Sequence, residues 1–234
     1  MNLVLLFPGD FVAESRVRIT GRRLEHVANI HRAAVGDTLT VGLENGRIGR
    51  GVIARLDDAL ELDVTLEQDP PPKLPLTLVL ALPRPKVLNR VLASATSMGV
   101  NRIILINAWR VEKSYWKSPR LEEENLRQQR ILGLEQARDT ILPQLDLRRL
   151  FRPFVEDELP AIAHGTRKLV PHPKTATECP RHVQEPVTLV IGPEGGFIEQ
   201  EIASLERIGF EPVSLGPRVL RVETAVAAVI ARLF

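Results

Sequence analysis

Two segments near the C-terminus combine glycine, proline and charged residues at the ends of apolar runs. The first is Val190-Ile191-Gly192-Pro193-Glu194-Gly195-Gly196-Phe197, a strand signal running into a glycine-rich turn before a helix. Glycines let the backbone approach a ligand closely and leave N–H groups free to cradle it. The second is Leu215-Gly216-Pro217-Arg218-Val219-Leu220-Arg221-Val222-Glu223-Thr224-Ala225, again a strand end, a loop and a helix entrance. Glu223 and Thr224 stand where acidic or hydroxyl side chains cap a helix start. By composition alone both segments fit either of two uses, ligand-binding loops or connecting turns.

Several standard sites are excluded. No G-x-G-x-x-G follows a strand, and there is no G-x-x-x-x-G-K-[ST] phosphate loop. The histidines at 26, 31, 164, 172 and 182 show no metal-ligand spacing, and the single Cys179 rules out a thiolate zinc site or an internal disulfide framework. No G-x-S-x-G elbow occurs. No metal is expected. Cys179, with only Arg181 as a basic neighbour in sequence, reads as an unreactive thiol.

The elements that would carry these loops fall into two groups. The run Asp69-Pro70-Pro71-Pro72-Lys73-Leu74-Pro75 fixes φ and removes backbone donors, so it marks a boundary. Upstream, Leu39–Leu43 and Gly51–Leu56 flank Asn45-Gly46, a dipeptide suited to the φ > 0 positions of a hairpin turn. Leu60–Leu66 alternates with period two, and a short helix is expected near Arg22–Ile30. Residues 1–70 therefore read as a small β-barrel or sandwich, residues 71–75 as a linker, and residues 76–234 as a second domain. In that domain, short apolar strands at Leu76–Leu82, Arg102–Asn107, Lys168–Val170, Val187–Ile191 and Pro212–Leu215 alternate with helices. Helical faces are marked by Val87, Leu88, Val91, Leu92, Ala95 and Met98, by the polar-rich Leu121–Arg138, by Ile202, Leu205 and Ile208, and by Val222, Val226, Val229 and Ile230. That alternation predicts an α/β domain with a mostly parallel sheet covered on both faces. In such sheets ligands bind beyond the carboxyl ends of the strands, where both glycine-containing segments lie.

Composition agrees with a folded chain. Of 234 residues, 44% are hydrophobic and 26% charged, with 31 Lys+Arg against 29 Asp+Glu. These values exclude disordered, collagen-like and coiled-coil classes. No apolar run approaches the ~18–20 residues of a membrane span, and the start Met1–Gly9 has no basic n-region, so a cytoplasmic protein is expected. Residues 1–72 hold 8 basic and 11 acidic residues, leaving 23 and 18 for residues 73–234. The mild excess of base in the second part permits a local polyanion-binding patch without requiring one.

Taken together, Ile191-Gly192-Pro193-Glu194-Gly195-Gly196 followed by Leu215–Ala225 resembles the paired signature of the RsmE family. These are 16S ribosomal RNA uridine-N3 methyltransferases of the SPOUT superfamily. Gly133-Leu134-Glu135-Gln136-Ala137-Arg138 with Leu142-Pro143, Pro171-His172-Pro173, and His26 with Gly36-Asp37 resemble further segments of that family. Ser94-Ala95-Thr96-Ser97-Met98-Gly99 departs from the family's Q-K-x-x-E-L-G pattern, and Glu112-Lys113-Ser114 stands for its Glu-Arg-Ser. These departures mark a divergent branch.

The resemblance implies a PUA-like N-terminal β domain that places RNA, and a C-terminal methyltransferase domain with a deep trefoil knot. It also implies a homodimer acting on 16S ribosomal RNA or the small subunit. S-adenosylmethionine would be bound by Pro171, His172 and Pro173, by Ile191, Gly192, Pro193, Gly195 and Gly196, and by Leu215, Gly216, Val219, Leu220, Arg221, Thr224 and Ala225. Arg221 is the first choice for a catalytic side chain, placing a carboxylate or an RNA phosphate by charge-assisted bonds. Glu223 is either a general base or a helix cap, and Glu194 either a base or a loop brace. Arg110, Lys113, Trp116 and Lys117, with Trp109 and Tyr115 among them, are candidates to neutralise and stack RNA, or else to form a dimer contact or loop anchor. Arg148, Arg149 and Arg152 read as a solvated face. The same fold would also serve a methyltransferase of another RNA, such as transfer RNA, or a non-catalytic RNA-binding relative.

Overall fold

The computed structural model describes residues 2–234 and divides the chain into two compact units. The first comprises the chain up to Pro72 together with Arg130–Leu142; the second comprises Lys73–Gln129 and Pro143–Phe234. Residues 130–142 thus pack with the N-terminal strands, although no composition change in the sequence announces it.

The first unit is built on a six-stranded sheet ordered β1-β4-β5-β6-β3-β2. Its strands are β1 (Val4–Leu6), β2 (Phe11–Ala13), β3 (Arg16–Ile19), β4 (Thr38–Leu43), β5 (Ile48–Leu56) and β6 (Leu60–Gln68). β1 and β4 pair in parallel and the other pairs are antiparallel. The hairpin predicted at Asn45-Gly46 joins β4 to β5, and of the two residues Asn45 takes the positive φ, at 56°. The register shifts between Ile48 and Gly49, and a Cβ on Gly49 would fall 1.8 Å from the Thr65 carbonyl oxygen. Only glycine permits that close crossing of two backbones. The period-two alternation of β6 buries Leu60, Leu62 and Val64 against Val17, Ile19, Val41 and Ile53. The predicted helix at 22–30 is α1 (Arg22–His26), continued by one π-helical turn, Val27–His31. β1, β2 and β3 carry no clear strand signal, being three or four residues long.

The second unit holds a six-stranded sheet ordered β12-β10-β11-β7-β8-β9, in which every pairing is parallel. Its strands are β7 (Leu74–Ala81), β8 (Val100–Ile106), β9 (Gln144–Arg148), β10 (Arg167–Pro171), β11 (Val187–Ile191) and β12 (Glu211–Val213). β7, β8 and β11 are central, and their nearly unbroken apolar sequences are buried on both faces, as parallel strands require. β7 takes in the last two residues of the expected linker, Leu74 and Pro75. The register shift between Leu74 and Thr77 absorbs the missing donor of that proline.

The helices are α2 (Pro85–Ser97), α3 (Glu123–Ala137), α4 (Phe151–Pro153), α5 (Leu159–Ile162), α6 (Glu199–Arg207) and α7 (Val222–Leu233). In α2 the proline stands in the first turn, where its absent N–H costs nothing, and Leu88, Val91, Leu92 and Ala95 form the buried stripe. In α7, Val222, Val226, Val229, Ile230 and Leu233 do the same. α3 begins in the second unit and ends in the first, where Ile131 and Leu134 bury against Leu3, Leu5 and Ile48. No helix among the described residues is long and apolar enough to cross a membrane.

Candidate functional site

Because all strands of the second sheet run the same way, the loops after β7, β10, β11 and β12 leave from one edge. They enclose a cavity of about 670 Å³. The order β12-β10-β11-β7 makes these four strands neighbours, so three segments distant in sequence become adjacent in space. Of the fifteen residues predicted to bind cofactor, all but Thr224 line the cavity; Thr224 is exposed on α7. Arg221 and Glu223 line it as well.

Each loop is shaped by local chemistry. After β11, Gly196 donates its amide to the Pro193 carbonyl at 2.7 Å and adopts φ 71°, closing a tight turn that a branched side chain would strain. A Cβ on Gly195 would stand 3.0 Å from Arg110 Cδ, so the turn is packed against a neighbouring side chain. Glu194 accepts from the Arg84 amide at 2.9 Å, which is the loop-brace use of that residue. After β10, His172 donates its amide to the Val213 carbonyl at 2.9 Å, stitching this loop to β12. Burial, reinforced by the charge of Lys174, pushes the His172 imidazole below its ordinary pKa; Glu206 acts weakly the other way. After β12, Gly216 donates to the Ser214 hydroxyl at 3.1 Å, and the loop ends at Arg221, the N-cap of α7. The N-cap has no side-chain hydrogen bond, and Glu223 instead sits in the first helical turn, where a carboxylate favours the macrodipole.

The wall is dominated by Ile191, Leu215, Val219 and Leu220 with glycines and prolines between them. Its charged residues are Arg84, Glu194, Arg218, Arg221 and Glu223. A site so lined accepts a ligand with a flat apolar body and a charged end, and its volume is within the usual range of small-molecule pockets, ~300–1,000 Å³. Arg84 and Arg218 join the site without having been expected there. Arg84 does have a signal, since it stands three residues beyond the carboxyl end of the central strand β7; Arg218 lies within the Leu215–Ala225 segment with no separate mark.

The predicted RNA-contacting residues separate. Lys113 and Lys117 bound an exposed 3₁₀ turn. Trp116 is half-buried against the core, donates its indole N–H to Asn107 at 2.9 Å, and carries the Arg149 guanidinium 5.6 Å from its ring centre. Arg110 donates to the Gly195 carbonyl. Trp109 is the ring left exposed, at 78%. Of the three arginines expected on a solvated face, Arg152 is exposed and pairs with Glu156, Arg148 pairs with Glu158 at 2.7 Å, and Arg149 packs on Trp116. Cys179 is buried, and burial raises its thiol pKa, which makes it a poor nucleophile. Among the described residues no group of three or more His, Cys, Asp or Glu side chains is placed to hold a metal ion.

Residues 70–234 match the model of the RNA methyltransferase domain. The chain is 30% identical over 235 residues to ribosomal RNA small subunit methyltransferase E of Treponema pallidum, covering 97% of this chain and 88% of that protein. It is 29% identical over 212 residues to the protein of the same name from Mycobacterium bovis, covering 86% and 79%. In fold it is similar to ribosomal RNA small subunit methyltransferase E from Neisseria gonorrhoeae, solved bound to S-adenosyl methionine, with TM-score 0.78, 23% identity and coverage of 99% and 95%. A putative methyltransferase from Legionella pneumophila, solved with S-adenosyl methionine, matches at TM-score 0.77 and 24% identity, covering 98% and 96%.

Proposed function

The chain belongs to the family of ribosomal RNA small subunit methyltransferase E, its residues 70–234 forming the RNA methyltransferase domain, and on that premise we propose that it methylates 16S ribosomal RNA from S-adenosylmethionine, at N3 of one uridine. The observation that carries this reading is the convergence of the loops after β10, β11 and β12 on one cavity, with Arg221 and Glu223 at the entrance of α7.

The residues present fit the cofactor. Apolar side chains suit an adenine ring, the turn at Gly196 leaves room for close backbone approach, and Arg84, Arg218 and Arg221 suit the carboxylate of its amino-acid end. When bound, S-adenosylmethionine supplies an electrophilic methyl group on a positively charged sulfur. Arg221 orients that carboxylate or an RNA phosphate through charge-assisted hydrogen bonds. Glu223 would accept the proton lost from uridine N3 as the N–C bond forms and the sulfur–methyl bond breaks, the sulfur leaving as a neutral thioether. Holding the pyrimidine and the methyl group near contact distance is work for the surrounding loops.

The finer architecture is part of the same reading. A deep trefoil knot in the second unit is supported by the bonds tying 172–183 to the last segments of the chain. Ser214 donates to Thr177 O at 2.7 Å, Cys179 to Ser214 O at 2.9 Å and Val183 to Leu233 O at 2.7 Å. The N-terminal sheet, residues 1–70, is read as a PUA-like module that places RNA, its Arg50 standing beside a cleft of about 540 Å³ that Arg138 of the 130–142 segment also lines. A homodimer in the cytoplasm completes the picture. The apolar residues of α7 are consumed by its own core, so a partner would meet the smaller Thr224, Ala227 and Ala231. Sedimentation at micromolar concentration tests this: a dimer is expected, and a monomer would refute it.

The deciding experiment is tritiated methyl transfer to undermodified 30S particles, followed by nucleoside analysis. N3-methyluridine is the expected product. Methylation at ribose, or none in any ribosomal particle, would overturn the substrate assignment.

A further inference from the structure

The segment leaving β8 is fastened to the glycine-rich loop at two points. Glu201, in the first turn of α6, is 7% exposed, and its two carboxylate oxygens accept two different backbone amides. Oε1 accepts from Trp109 N at 2.8 Å, and Oε2 from Ile198 N at 3.0 Å. The second fastening is Arg110, whose guanidinium donates to the Gly195 carbonyl while its aliphatic stem fills the space beside the Gly195 Cα. A carboxylate this deeply buried is costly unless its oxygens are satisfied, and here amide donors from two separate chain segments satisfy both. Capping α6 would need only the Ile198 bond. The Trp109 bond is additional, and its effect is to pin the 192–198 turn to the end of a central strand.

We propose that Glu201 and Arg110 are positioning residues that hold the Gly192–Phe197 loop in its ligand-binding shape by strapping it to Trp109–Arg110. This rests on the reading of the cavity as the S-adenosylmethionine site. It moves Arg110 from RNA contact to support of the pocket. Neither side chain need touch the reacting atoms; each acts through the loop.

The test uses Glu201→Gln and Arg110→Ala in the full chain, with S-adenosylhomocysteine as probe. Glutamine keeps the shape of Glu201 but offers one acceptor oxygen, so one buried amide loses its partner. Loss of such a bond should weaken S-adenosylhomocysteine binding about tenfold by calorimetry. Amide hydrogen exchange should rise in the ligand-free chain at Trp109, Ile198 and the loop between Ile198 and β11. In methyl-transfer assays the effect should fall on KM for the methyl donor; a merely structural role would instead lower the active fraction and hence kcat. Arg110→Ala, at an exposed position, should raise loop exchange in the same way and serves if the Glu201 variant does not fold. Wild-type affinity together with wild-type exchange in a folded variant would overturn the proposal. If the unaltered chain fails to bind S-adenosylhomocysteine, the cofactor reading is what fails. Exchange then decides the strap alone, raised rates supporting it and unchanged rates refuting it.

Discussion

Arg22 and Glu135, 113 positions apart in sequence, form a two-pronged ion pair, with both nitrogen–oxygen distances at 2.9 Å. Glu135 is 1% exposed while Arg22 remains partly in solvent. The carbonyl of Glu135 also accepts the amides of Asn2 and Leu3 at 2.9 and 3.1 Å. The Gly133–Arg138 segment, which resembles a family motif, therefore anchors the first strand and α1 inside the N-terminal unit. Arg22→Ala should strand a buried carboxylate and lower unfolding free energy by about 2 kcal/mol, discounted from the ~3–5 kcal/mol of a fully buried pair because Arg22 is solvated. Urea unfolding checks this, and an unchanged midpoint would show that water replaces the guanidinium.

Gly196→Val should abolish S-adenosylhomocysteine binding, because φ 71° is closed to a β-branched residue. The strain should also cost about 1–2 kcal/mol of stability. Gly195→Val should fail for a different reason, collision with Arg110, so shortening that side chain with Arg110→Ala should partly restore it. Calorimetry on the single and double variants separates the two causes.

Arg221→Ala should reduce methyl transfer at saturating RNA and cofactor by about a hundredfold, the usual scale for losing one well-placed donor to a transition state. Arg221 is exposed and caps α7 without a side-chain hydrogen bond, so the thermal midpoint should barely move. A stability loss equal to the activity loss would assign it a structural role instead.

His172 is held neutral by burial and by Lys174, so its folded pKa lies below the ordinary 6.5. Its neutral form is the one the fold prefers. The associated stability is complete above pH 6.5 and declines as pH falls through the lowered folded value. His172→Gln should therefore flatten the acid side of the stability curve while leaving the value near pH 8 little changed. Unfolding series at pH 8, 6.5 and 5 would show it; parallel curves for both proteins would count against the effect.

Removing Lys113 and Lys117 together should weaken binding to small-subunit RNA and reduce the slope of log affinity against log salt, by about 0.7 for each phosphate that is no longer neutralised. S-adenosylhomocysteine binding should be unaffected, since neither lysine lines the cavity. An unchanged slope would move the RNA path elsewhere on the surface.

What the sequence determined by itself is local. The short apolar run Val187–Ile191 between turn residues reads as a buried strand, the stripe from Val222 to Ile230 as a helix face, and the two glycine-containing segments are recognisable at strand ends. Short edges were not legible in the N-terminal unit: β1 and β2 are three residues long, too brief for a period to register. The tertiary structure decided which loops meet. Nothing in the chain order says that β12, β10 and β11 line up in that order beside β7, and that arrangement is what draws Arg84 and Arg218 into the cavity. It also decided how polar groups are spent. Trp116 and Arg110 look alike as RNA-contact candidates in the sequence, yet the half-buried Trp116 donates to Asn107 and the exposed Arg110 to Gly195, because each donor takes the acceptor that the tertiary packing brings within reach. Glu201 shows the same from the other side: its period places it on α6, but only the end of β8 arriving beside it gives its second oxygen a partner.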